Sequence, residues 1–141
     1  MTNDEKILVC VRNMANGEQL IRRGGELSQM LHCPLYVLNI TSGQTETPTQ
    51  EQKKDTEFWQ RKCEEWGATL IVESFDNKKI NEVIAETASR YHITQLIIGQ
   101  PGQTRWQEIM HGCFVNDLLS LLTEVDVHVV AVQRLNDEVH A

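Results

Sequence analysis

Leu96-Ile97-Ile98-Gly99-Gln100-Pro101-Gly102, followed by Gly112-Cys113-Phe114-Val115-Asn116-Asp117-Leu118-Leu119, decides the reading of this chain. A short apolar run ends at Gly99, a second glycine stands at 102, and Gly112 opens an amphipathic helix. That is a strand, a loop and a helix N-terminus. Glycines let a backbone approach a ligand with no Cβ in the way, and the free N–H groups of a helix start attract an anion. The stretch reads as a phosphate or nucleotide pocket at the carboxyl edge of a parallel sheet. Glycines that merely turn the chain between strand and helix fit the same letters.

Working outward, the rest of the chain repeats the strand–helix alternation. Ile7-Leu8-Val9-Cys10-Val11 is a continuous apolar run, as in a strand buried on both faces. Asn13 to Gly17 reads as a loop, and a helix runs from Glu18 to Leu31 with Leu20, Ile21, Leu27, Met30 and Leu31 inward. Gly24-Gly25 within it implies close helix–sheet contact or a kink. Leu35 to Ile40 is a second strand. Thr47-Pro48-Thr49-Gln50 has the form of a helix start, with the helix running to Trp66 and stopping at Gly67. Its buried side is Phe58, Trp59, Cys63 and Trp66. Ala68 to Glu73 is a third strand. Asp76 or Asn77 caps a helix that reaches Tyr91, with Ile80, Val83, Ile84 and Ala88 inward. Thr94 to Ile98 is the fourth strand, Cys113 to Leu122 a helix, Val125 to Val132 the fifth strand, and 133–141 a polar tail.

Strands separated by helical segments, without hairpin signals, make an α/β fold: a single doubly wound, five-stranded parallel sheet of Rossmann-like type with helices on both faces. Its switch point lies between the first and fourth strands, and ligands bind there at the carboxyl edge. The loops meeting there are Arg12 to Gly17 and Gly99 to Gly112. The 141 residues read as one domain with a core from about 6 to 132.

Charge and composition narrow the partners. A net charge of −7 argues against a nucleic-acid binder. The paired basics Arg22-Arg23, Lys53-Lys54 and Lys78-Lys79 fall in helical stretches beside acids and read as solvated faces. No apolar run reaches a membrane span, and the polar start is unlike a signal peptide, so a cytoplasmic location is expected. Cys10, Cys33, Cys63 and Cys113 form no C-x-x-C pair. Cys10 and Cys33 read as core fillers, whereas Cys113 follows Gly112 at a helix start, where a thiolate is stabilised.

Gly99, Gly102, Gly112 and Cys113 resemble the G-x2-G-x9-G-(S/T) nucleotide pattern of the universal stress proteins, with cysteine at the hydroxyl position. Four stretches are similar to the corresponding domain of Kdp-type potassium sensor kinases (KdpD): Ile7 to Val11, Leu20 to Gly24, Thr104 to Glu108 and Val125 to Val130. The resemblance covers about Lys6 to Val132. It implies strand order 3-2-1-4-5, a signalling or stress-response domain rather than an enzyme, and a homodimer. ATP or another adenine nucleotide is the implied ligand. Where nucleotide-binding members carry an aspartate after the first strand, this chain has Arg12. The cyclic di-AMP pattern S-x-S-x20-F-T-A-x-Y falls on Arg12-Asn13-Met14 and on Leu35 to Asn39, without its serines and terminal tyrosine, so cyclic di-AMP is not the expected ligand.

The candidate nucleotide-binding residues are Arg12, Asn13, Asn39, Gly99, Gly102, Arg105, Gly112 and Cys113. Arg12 offers a planar fork to a phosphate, Asn13 a polar contact or a turn, and Arg105 a cation beside Trp106. His111 lacks a nucleophile or second base at a readable spacing. Asp126 and His128 alternate on the last strand, two ligands without the third a metal site needs, and no metal is expected. With Val130 and Val132 they instead mark an exposed sheet edge through which two copies pair. A sensor kinase is a further candidate partner. The alternatives are an interaction module without a ligand and a redox-responsive protein acting through Cys113.

Overall fold

The structure, a computed structural model, describes residues 4–11, 14–41, 50–74, 79–99 and 116–131. In chain order these form β1 (Ile7–Val11), α1 (Met14–Leu31), β2 (Leu35–Thr41), α2 (Gln50–Trp66), β3 (Thr69–Ser74), α3 (Ile80–Arg90), β4 (Gln95–Gly99) and β5 (Asp126–Val130). Residues 116–121 are also helical.

All four strand pairings are parallel, in the order β3-β2-β1-β4-β5. Alternation along each strand divides the core into two layers. Ile7, Val9, Val11, Leu35, Val37, Ile97 and Val130 face α1 and α2, meeting Leu20, Ile21, Trp59 and Cys63. Leu8, Leu38, Ile71, Leu96 and Ile98 face the other way, onto Ile84 and Ala88 of α3 and onto Leu118. Strands apolar on both sides therefore sit between two helical layers, which is the doubly wound arrangement the alternation predicts.

Gly24 and Gly25 are buried contact points within a continuous helix. A Cβ on Gly24 would stand 2.5 Å from Cγ2 of Val9, and one on Gly25 would stand 2.3 Å from the Trp66 ring. Gly17 makes the same close approach to Trp59, at 2.2 Å. The region expected as a loop, Asn13 to Gly17, is therefore helical from Met14. Gly17 serves packing against α2 rather than ending a turn. Met30, expected inward, is 76% exposed. It lies nine residues beyond buried Ile21, and at 3.6 residues per turn that is about half a turn out of phase.

α2 ends as expected, with Gly67 at φ +66° and Ala68 N–H donating to the Cys63 carbonyl at 2.8 Å. Lys62 of α2 bridges Glu18 of α1 at 3.2 Å and Glu65 at 3.3 Å. The start of α3 departs from expectation. Its N-cap is Lys79, in extended backbone and without a side-chain cap bond, while Asp76 and Asn77 lie outside the described residues. Among the described residues, no helix is long and apolar enough to cross a membrane.

Candidate functional site

The β1–β4 pairing runs from Ile7–Gln95 to Val9–Ile97. Beyond it, β1 continues to Val11 paired with Asn39 of β2, and β4 continues to Gly99 paired with Val130 of β5. The two central strands thus turn to different partners at their carboxyl ends. This is the topological switch point, where open parallel sheets form their ligand crevice.

Across that edge, on the α1/α2 side, the alternation places Val72, Asn39, Val11, Gly99 and Val130 in one row from β3 to β5. Gly99 contributes no side chain to this row between Val11 and Val130. α1 begins at Met14, three residues past Val11, and carries no acid in its first turn. Its N–H groups and positive dipole end are therefore uncompensated there by a carboxylate of the same turn.

Asn39 is the polar member of the row, and it is only 5% exposed. Among the described residues no group hydrogen-bonds its carboxamide. Thr87, similarly buried, differs in that its hydroxyl donates to the Val83 carbonyl at 2.8 Å.

Of the residues read from the sequence as a nucleotide site, Asn39 and Gly99 are brought to this edge. Arg12, Asn13, Gly102, Arg105, Gly112 and Cys113 lie outside the described residues, as do Trp106 and His111. The other three cysteines all have raised thiols, and of them Cys63 is buried while Cys10 and Cys33 are half-buried. Burial pushes the Cys10 thiol up to about 12 and that of Cys63 up to about 11. Burial and the nearby Glu5 raise Cys33 as well.

On β5 the residues read as a pairing edge differ in exposure. Asp126 and His128 are exposed, but Val130 packs into the α1/α2 layer at 7% exposure and offers no side chain to a second copy. Val129 is the exposed apolar residue, at 47%. Val132 lies outside the described residues. His128 pairs with Gln95 rather than Asp126, its Nε2 lying 2.8 Å from the Gln95 Oε1. The Gln95 amide donates to Glu5 at 2.7 Å, and the Thr94 hydroxyl donates to the same carboxylate oxygen at 2.6 Å. These two bonds hold the Glu5 carboxyl below its ordinary value. With its Nε2 used on Glu5, Gln95 accepts the proton of the His128 Nε2–H. This network ties β1, β4 and β5 together at the amino edge, away from the crevice. Sequence spacing gave no sign of it, because it depends on strand register. Among the described residues no cluster of three metal-ligating side chains occurs.

Comparison with known proteins agrees with this geometry. No family model matches the chain. It is 30% identical over 132 residues to the sensor protein KdpD of a Synechocystis species, a stretch that is 90% of this chain and 34% of that protein. The chain thus spans about a third of the curated relative it matches. Among solved structures, a universal stress protein in complex with cAMP superposes with a TM-score of 0.68 at 14% identity, covering 92% of this chain and 98% of that one. The universal stress protein of Archaeoglobus fulgidus in complex with dAMP gives 0.58 at 19% identity, covering 92% and 98%.

The five-stranded order with its parted central strands is the fold of the universal stress proteins. In sequence the chain is similar to part of a KdpD sensor protein.

Proposed function

We propose that this chain is a cytoplasmic, non-enzymatic signalling domain that binds a nucleotide or related phosphate-bearing small molecule at the switch point. One observation carries the reading. Where β1 and β4 part, the edge combines a residue without a side chain, Gly99, a buried carboxamide, Asn39, and the start of α1. The dAMP and cAMP complexes of proteins with the same fold support an adenine nucleotide as the ligand. Arg12, Asn13, Gly102, Arg105, Gly112 and Cys113, which the sequence assigns to loops at this edge, supply the remaining contacts. The ligand alters those loops, and the change passes to a partner.

Two partners fit this reading. The outer edge of β5 is unpaired among the described strands, with Val129 exposed beside it, so a second copy adds there. The KdpD likeness supports a sensor kinase as the other partner.

Isothermal titration with ATP, AMP and cyclic di-AMP tests the proposal. Binding of ATP or AMP is expected, with cyclic di-AMP weaker. Silence from all three at millimolar concentration would overturn it.

A further inference from the structure

β5 is an outer strand of the sheet, bonded to β4 on one side only among the described strands. The Asp126 N–H donates to the Thr94 carbonyl at 2.9 Å, toward β4. The alternation of a strand then turns the N–H and C=O groups of His128 and Val130 toward β4 as well, and those of Val127 and Val129 toward the open edge. A second copy that adds there antiparallel, about a two-fold axis, bonds through Val127 and Val129 of each chain. His128 falls among the non-hydrogen-bonded pairs, where facing Cα atoms stand about 4.5 Å apart and side chains meet most closely. An axis at His128, the middle of Asp126–Val130, pairs all 5 residues of the strand. It sets His128 against His128 of the second copy and brings both Asp126 side chains to the same face. On the other face it covers Val129, 47% exposed, with Val127 of the second copy.

His128 is already oriented for a role at that axis. Its Nε2 lies 2.8 Å from the Gln95 Oε1, and the Gln95 amide is fixed by Glu5 at 2.7 Å. The neutral ring therefore carries its proton on Nε2 and keeps a lone pair on Nδ1, on the side away from Gln95. Imidazole ligands of metal ions are held in this way, the second ring nitrogen donating to a neighbouring acceptor. Within one chain Asp126 and His128 are two exposed ligands on one face of the strand.

We infer that paired β5 edges bind one divalent transition-metal ion of the zinc class, held by Asp126 and His128 of both copies, with Gln95 as a positioning residue. Two imidazoles and two carboxylates make a tetrahedral donor set that zinc accepts. The two carboxylates balance the charge of the ion. An axis at Val127 faces each Asp126 with His128 of the second copy and assembles the same four ligands. The inference rests on the second copy at β5 proposed above.

The test is titration of the whole chain with zinc, read by calorimetry and by sedimentation equilibrium, with His128→Ala, Asp126→Asn and Gln95→Leu beside the wild type. Asp126 and His128 are exposed, so replacing them leaves the core intact. The wild type is expected to bind one zinc per two chains and to dimerise about tenfold or more tightly with it. His128→Ala should lose that binding and its effect on dimerisation while keeping the metal-free dimer. Asp126→Asn should weaken zinc about tenfold or more. Gln95→Leu should weaken it about 10–100-fold, and the imidazole nitrogen shifts of His128 should lose their Nε2–H pattern in that variant. A wild-type dimer indifferent to zinc would overturn the inference and leave the second copy at β5 standing. So would binding of one zinc per two chains that survives His128→Ala. A chain that stays monomeric at millimolar concentration, with and without zinc, would overturn both.

Discussion

Replacing Gly24 by alanine tests the packing of α1 on the sheet. In an open helix this change stabilises by about 1 kcal/mol, because alanine loses less backbone freedom. Here the added Cβ would lie 2.5 Å from Cγ2 of Val9 and 3.2 Å from Cδ1 of Leu35. Val9 is fully buried and β-branched on the central strand, so its methyl cannot turn aside. The helix must lift by about 1 Å to restore ordinary contact at about 3.5–4.0 Å, loosening Leu20 and Ile21 in the same layer. Overpacking of this kind costs about 1–3 kcal/mol. The net expectation is a loss of up to about 2 kcal/mol, or up to about 7 °C in melting temperature at this chain length. Thermal and urea denaturation measure it. Val9→Ala removes the obstructing methyl and alone costs about 2 kcal/mol. The double variant should recover at least about 1 kcal/mol relative to additivity. A stabilised Gly24→Ala, or a strictly additive pair, would refute the close-contact argument.

Three further outcomes follow from the same structure. Gly67→Ala should cost about 1–2 kcal/mol through backbone strain at φ +66° alone, since nothing lies within 4 Å of the new methyl; Gly67→Asn should cost less in the same denaturation assay. Cys10 and Cys63 should resist a disulfide reagent at pH 8 until the protein unfolds. Because the Cys10 thiol is raised to about 12 from 9.0, its contribution to stability is intact below pH 9 and declines as pH rises toward 12. Glu5 has the opposite sign. Its carboxyl is lowered by Thr94 and Gln95, so its contribution is present above pH 4.5 and disappears as pH falls through the folded value, and Glu5→Gln should flatten the acid limb of a pH–stability curve.

The sheet was legible in the sequence because its strands are apolar on both faces, and runs such as Ile7 to Val11 have few other readings. The helix termini were less so. Met14 to Gly17 lacks an apolar stripe, and its glycine imitates a turn until Trp59 is seen packed against it. Met30 looked inward by composition although its phase points outward. The burial of Thr87 depends on a bond to its own helix backbone, which hydropathy does not register. At the candidate site, the spacing of Gly99 and the topology together located the edge. The pairing of His128 with Gln95 was hidden, since it arises only once β4 and β5 are aligned. The burial of Val130 was hidden for a related reason. The alternation that groups it with Asp126 and His128 also turns it toward α1 and α2, where the sheet is covered.

The central claim is that the carboxyl edge at the β1–β4 parting holds a nucleotide. Amide chemical-shift mapping of the isotope-labelled chain during titration with ATP examines it most directly. Saturable shifts are predicted at Val11, Asn39 and Gly99, with Glu5, Thr94 and His128 at the opposite edge unmoved. Shifts concentrated at the amino edge, or none at millimolar ATP, would contradict the account.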